Sequence, residues 1–212
     1  MDSFVSSKGT RMIIMPEDRR YNKISSIVFR KTSEPFGGLS NMAPGYPIFW
    51  NIIIVKSSEA LYQALKFPDH IDIQRSILMQ HSPMVAKWIS RKNNIYARRD
   101  WELIKFRVMR LCIELKLINN WIEFGELLDS TGSRDIVEYT PERKVWGACD
   151  KGWYYEGPNA LGRLLMALRE DFIIQQPPHN VHVPSIPDLS IMGIDVSEIN
   201  LIVPRKPNGL FI

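Results

Sequence analysis

Glu59, Tyr62, Gln63 and Lys66 recur at i, i+3, i+4 and i+7 within KSSEALYQALKF, the spacing of one helix face. A carboxylate and an amine on one face can carry general acid–base and amine-nucleophile chemistry. The same spacing also describes a solvated Glu-to-Lys face, with Ala60, Leu61, Ala64 and Leu65 on the buried side. The neighbouring sequence favours a site. The helix follows FGGLSNMAPG, an irregular loop whose Gly and Asn residues let backbone approach a ligand closely. Two further stretches are out of pattern for packing alone: Arg99-Asp100-Trp101, and Val145-Trp146-Gly147 with Gly157-Pro158-Asn159-Ala160-Leu161-Gly162 after it. There is no Gly-rich phosphate loop with its lysine, no HExxH and no GxSxG. The histidines (His70, His81, His179, His182) are scattered and take no role, and Cys112 and Cys149 lack zinc-ligand spacing. Neither a metal nor a cofactor is expected.

The elements that must position these residues are short. Residues 1–23 read as a polar arm, and Ile24–Phe29 as a strand rich in β-branched residues. PIFWNIIIV (47–55) reads as a strand or hairpin. Ser57 or Ser58 opens the Glu59 helix and Pro68 stops it. Helices follow over DIQRSILMQ and over SPMVAKWISRK, the latter opened by Ser82 with Pro83 at its first position. Asp100 caps a long helix whose Leu103, Ile104, Val108, Leu111, Leu115 and Ile118 recur at helical spacing. NNWIEFGELLDS is a further helix, Asp135–Tyr139 a short strand, and Gly157–Glu170 a turn running into an amphipathic helix. Six of the fourteen prolines fall in residues 177–212, which still carry Ile186, Leu189, Ile191, Met192, Ile199 and Leu201. A free linker is rarely so apolar, so this segment is expected to pack as an extended tail on the core.

The chain has 212 residues, 45% hydrophobic and 24% charged, which excludes collagen-like, coiled-coil and wholly disordered classes. The expected organisation is one domain over 24–176 between arm and tail. No signal peptide or membrane-length apolar run is present, so a cytoplasmic location without membrane attachment is expected. The net charge is only +4, but Lys87–Lys116 holds nine cations (Lys87, Arg91, Lys92, Arg98, Arg99, Lys105, Arg107, Arg110, Lys116) against three anions. Charge runs are usually solvated helix faces, and the alternative is a patch for phosphates.

The ordered series EPFGGLSNMAPGYP, KSSEALYQALKF, SPMVAK, RDWELIKFRVMR, LLDSTG, IVEYT, VWG and GPNALGRLLMALRE resembles the NADAR superfamily of YbiA-like proteins, from about Phe29 to Arg169. The wording most resembles NADAR antitoxins paired with DarT-type DNA ADP-ribosyltransferase toxins. The resemblance implies an α+β, mainly helical domain with a few short strands and N-glycosidase activity. It implies two substrate classes: ADP-ribose on the guanine amino group, in DNA or as a nucleotide, and early phosphoribosylamino intermediates of riboflavin synthesis. A DarT-type toxin is the implied protein partner. Catalytic roles fall on Glu59, Lys66 and Trp101, and substrate contacts on Arg30, Gly38, Asn41, Tyr62, Gln63, Trp146, Gly147 and Asn159. Glycosylamine cleavage develops positive charge on the ribose and needs a proton at the leaving nitrogen, work for a carboxylate. Lys66 either attacks a ring-opened imine or contacts a phosphate or hydroxyl. Trp101 stacks on the base, walls the ribose, or staples the helix beside Asp100. Arg143 or Lys144 stands where the family carries an acid before Trp-Gly, with Glu142 and Asp150 as candidate substitutes. That departure keeps a non-catalytic ADP-ribose-binding module as the third alternative.

Overall fold

The computed structural model describes residues 17–50, 53–172 and 183–198. It is an α+β arrangement in which helices supply most of the core and short strands pin its ends. The first strand, β1 (Arg19–Asn22), pairs antiparallel with β7 (Tyr154–Gly157), which also holds β6 (Cys149–Asp150). Residues 19–22 thus leave the polar arm expected of them. Tyr21 is buried against Val137, Ala148 and Tyr155, an anchor that composition alone conceals. The next strand shrinks to β2 (Ile27–Phe29), because Asn22 Oδ1 accepts from the Ile24 and Ser25 N–H groups and turns the chain there. Ile24 is left 91% exposed. Strand β2 pairs in parallel with β5 (Ile136–Glu138), setting Phe29 opposite Glu138. The segment 47–55 holds an antiparallel pair, β3 (Ile48–Trp50) and β4 (Ile53–Val55).

Helix α1 (Ser58–Ala64) is capped by Ser57, whose Oγ accepts from Ala60 N at 3.2 Å. Every residue of α1 is buried, so the alternative of a solvated Glu-to-Lys face falls away. It packs against α2 (Ile71–Leu78), α3 (Pro83–Lys92) and α4 (Trp101–Asn119). Ser82 and Pro83 open α3 as their positions predict, Ser82 accepting from Val85 N. Asp100 starts α4 but does not cap it through its side chain. Both its oxygens accept from Arg98, at 2.7 and 3.0 Å. Most of α4 is buried around its whole circumference, yet Leu103, expected on its core stripe, is 76% exposed. Helices α5 (Trp121–Asp129) and α6 (Ala160–Phe172) close the core. No described helix is long and apolar enough to cross a membrane.

Within the tail, residues 183–198 form a small hairpin, β8 (Ser190–Ile191) with β9 (Ile194–Asp195), and Ile186, Leu189, Ile191 and Val196 join the main core. Met192 packs against that core, while His179, His182, Ile199 and Leu201 lie outside the described residues. A fully buried Gln74 clamps the hairpin: its Nε2 donates to Ser190 O at 2.8 Å and its Oε1 accepts from Met192 N at 2.7 Å. Gln74→Leu keeps the volume but strands both backbone groups. A stability loss of about 1–3 kcal/mol is expected, read as a lower Tm with earlier proteolytic nicking inside 183–198.

Candidate active site

Glu59, in the first turn of α1 where the helix dipole favours an anion, is 1% exposed. Its charge is met from three directions. Asn41 Nδ2 donates to Oε2, Gln63 Nε2 donates to Oε1 at 2.8 Å, and Lys87 Nζ of α3 lies 3.4 Å from Oε1. The Asn41 loop is stitched to the helix start, since Asn41 O accepts from Glu59 N at 3.0 Å. Behind that loop stands Lys116, a fully buried lysine of α4 that donates to Gly38 O at 2.5 Å and Ser40 O at 3.0 Å. Its ammonium sits over the rings of Phe124 and Tyr46, and burial pushes its pKa far below the usual lysine range. Lys116 therefore fixes the path of residues 38–40 and, through it, the aim of Asn41.

Lys66 lies beyond the end of α1, in a turn where Phe67 N donates to Ala64 O at 3.0 Å. Its ammonium stands 5.3 Å from the Trp101 ring centroid and 5.9 Å from that of Tyr62. Burial among these groups lowers its pKa to about 8; Glu59 pulls upward and Lys87 adds to the depression. The wall is aromatic throughout: Tyr62 meets Trp101 at 4.9 Å and Trp146 at 5.7 Å, and Trp146 meets Phe106 at 5.3 Å. Trp101, 8% exposed, thus borders Lys66 as part of a packed wall.

Of the residues singled out by sequence, the structure brings together Glu59, Asn41, Gln63, Lys66, Tyr62, Trp101 and Trp146. The others serve the frame. Arg30 is exposed, with its guanidinium over Tyr139. A Cβ on Gly38 would lie 2.5 Å from Leu127 Cδ2 and Tyr46 Oη, and one on Gly147 2.4 Å from Glu138 O. Asn159, at φ 47°, donates to Ile136 O and accepts from Glu138 N, so it grips β5 rather than opening to a ligand. Neither candidate substitute acid reaches the site: Glu142 pairs with Lys144, and Asp150 with Lys23, all on the surface.

Another acid does. Glu138, the last residue of β5, feels both Lys87 and Glu59, and burial with the Glu59 charge raises its pKa to about 7 against the pull of Lys87. Lys87 and Glu138 are the functional candidates that spacing missed. The available signal was a carboxylate following directly on the apolar Ile136-Val137 pair of a short strand. A cleft of about 570 Å³ is lined by His70, Tyr96, Arg98, Arg99 and Pro187, and also by Asp69, Asp100 and Asp188. It adjoins Lys66, whose carbonyl accepts from Arg98 N at 2.9 Å. Neither this cleft nor a second hollow of about 310 Å³, between α5 and α6, is lined by Glu59, Lys66 or Glu138.

Residues 28–173 match the NADAR domain family. The chain is 35% identical over 150 residues to the N-glycosidase YbiA of Escherichia coli, covering 71% of this chain and 90% of that protein. It is 32% identical to a riboflavin biosynthesis protein of Vibrio vulnificus, covering 73% of this chain and 40% of that longer protein. The solved structure of Escherichia coli YbiA superposes with a TM-score of 0.61 at 34% identity, over 73% of this chain and 92% of that one. The chain belongs to the NADAR family, alongside proteins named as N-glycosidases.

Proposed function

We propose that this NADAR protein is an N-glycosidase that removes ADP-ribose from the amino group of guanine, in DNA or as a nucleotide, and acts as antitoxin to a DarT-type transferase. The observation that carries the glycosidase part of the reading is the buried Glu59 carboxylate, held by Asn41, Gln63 and Lys87, with Lys66 and Glu138 both within reach of its charge. Three such groups together suit proton transfer and amine attack far better than passive binding. That argues against the non-catalytic alternative, and Glu138 takes up the role of the acid expected before Trp146.

In this scheme the ribose C1–O4 bond breaks, O4 takes a proton from bulk water to become a hydroxyl, and the nitrogen lone pair makes C1 an iminium whose positive charge Glu59 stabilises. The neutral Lys66 amine adds its lone pair to C1 and passes a proton to bulk water. Glu138 protonates the guanine amino nitrogen, whose bond to C1 breaks and leaves C1 as an imine on Lys66. Water then adds to that imine, releasing ADP-ribose and the free lysine. Lys87, with Arg91 near Lys66, offers cations for the diphosphate.

The reactive microstate holds one proton on the pair, on Glu138 with Lys66 neutral. The kcat/KM profile is therefore a bell with limbs near pH 7 and pH 8. Glu138→Gln leaves only the lysine to titrate. Turnover is expected to fall by ~10²-fold, and the bell to become a rise through pH 8 with no descending limb. A retained descending limb removes Glu138 from the proton transfer. The substrate itself is tested by comparing rates on guanine-ADP-ribosylated oligonucleotide and on the riboflavin intermediates that the Vibrio relative's name suggests. A higher kcat/KM on the intermediates overturns the guanine assignment while leaving the glycosidase reading in place.

A further inference from the structure

The basic run divides once the chain is folded. Lys105 is tied to Glu102, Arg110 to Asp171, Arg107 and Arg98 to carbonyls of the tail, and Lys116 lies in the core. On the surface remain Arg91, Lys92 and Arg99, none with a carboxylate partner among the described residues, and half-buried Lys87. From Ile73 to Arg99 the sequence contains no aspartate or glutamate at all.

Met84, Val85, Trp88, Arg91 and Lys92 form one outward stripe of α3, opposite the buried Ala86 and Ser90. Trp88 is 57% exposed, with the Lys92 ammonium 4.7 Å above its ring. Exposed Tyr96, in the 3-10 turn Asn94–Tyr96, stacks near His70 and lines the 570 Å³ cleft with Arg99, where Asp100 is taken up by Arg98 and Asp69 and Asp188 also line the wall. Exposed aromatic rings among unpaired cations are the composition used to hold a single nucleic-acid strand, rings stacking on bases and cations meeting phosphates. The place is right as well. Lys87, on the flank of the stripe, reaches Glu59, and the Arg91 charge acts on Lys66.

We propose that α3 and the Asn94–Tyr96 turn are the docking surface for single-stranded nucleic acid flanking the base presented to the site. Trp88 and Tyr96 stack the neighbouring bases, and Lys92 and Arg99 hold their phosphates. The inference rests on the proposed action on guanine within a strand. Paired bases offer their faces to no side chain, which selects single strand over duplex. The exposed Trp88 ring with the Lys92 ammonium above it, beside Arg91 and Arg99, offers stacking and phosphate contacts at alternating positions, the demand of a strand rather than of an apolar protein face.

The test uses the full chain and unmodified fluorescein-labelled 12-nucleotide single strands and duplexes, followed by anisotropy across a salt series. Single strand is expected to bind more tightly than duplex. Trp88→Ala is expected to weaken binding about tenfold, and Trp88→Tyr to restore it, since the stacking ring returns. Lys92→Ala with Arg99→Ala should reduce the slope of log K against log salt by about 1.4, two phosphates' worth. Cleavage of a guanine mononucleotide adduct should stay within about twofold in all these variants, because its base has no flanking neighbours to stack. Strand affinity unmoved by the substitutions overturns the proposal, as does a Trp88→Ala change that instead abolishes binding of a DarT-type toxin. Trp88-dependent strand binding in a protein that cleaves no guanine adduct upholds the surface and overturns the proposed substrate. Adduct cleavage with strand affinity indifferent to Trp88 does the reverse.

Discussion

Lys66→Arg is expected to lower turnover on the order of 10³-fold or more, although arginine keeps the positive charge. The reason lies in the lysine's surroundings. Trp101 and Tyr62 wall the amine, Lys87 opposes its charge, and its pKa falls to about 8, so a useful fraction is neutral near pH 7.5. Arginine stays protonated and cannot form an imine. If Lys66 acted only as a cation for phosphate, Lys66→Arg would keep most of the activity. Borohydride added during turnover provides the matching chemical readout. It should reduce the imine to a stable secondary amine, leave a ribose-derived mass on the peptide containing Lys66, and inactivate the enzyme in step with labelling. Substantial activity in Lys66→Arg together with no adduct would sink the covalent route and return Lys66 to an electrostatic role.

Much of the helical frame was legible because it is written locally. Ser57, Ser82 with Pro83, and the 3.6-residue periodicity set α1, α3 and α4 with little help from the rest of the fold. The misses share a cause, which is long-range pairing. Tyr21 is drawn out of a polar segment by β7, about 134 residues away, and Glu138 is placed by a parallel partner strand more than a hundred residues upstream. The Glu59 side was half legible. Spacing put Glu59, Tyr62, Gln63 and Lys66 on one face, but burial of the whole helix turned that face inward and made Gln63 a donor to Glu59. Glycine was misread as well. Gly38 and Gly147 are small because Tyr46, Leu127 and Glu138 O leave no room for a Cβ, a packing demand that resembles a ligand loop in sequence. The basic run shows the same limit, since sequence cannot tell interior Lys116 from surface Lys92.

Glu59→Gln is expected to lower turnover by at least ~10²-fold with the fold intact. Glutamine fills the same space but brings an amide donor into a nest already built of donors, Asn41 Nδ2 and Gln63 Nε2. Gln63 Oε1 has no partner among the described residues, so rotation of that amide gives the new N–H an acceptor and spares the core. What cannot be restored is the charge. Lys87 loses its anion, and the developing cation at ribose C1 loses its stabilising carboxylate. The residual activity carries a second signature. The Glu59 charge raises the pKa of both Lys66 and Glu138, so removing it moves both downward. The bell of kcat/KM should then shift to lower pH as a whole, its ascending limb below 7 and its descending limb below 8. A variant with unfolded circular dichroism would say nothing about chemistry, and Glu59→Asp then serves instead, keeping the charge while shortening its reach. Near-normal turnover in folded Glu59→Gln removes the carboxylate from the mechanism, and a bell displaced to higher pH contradicts the electrostatic coupling of the three groups.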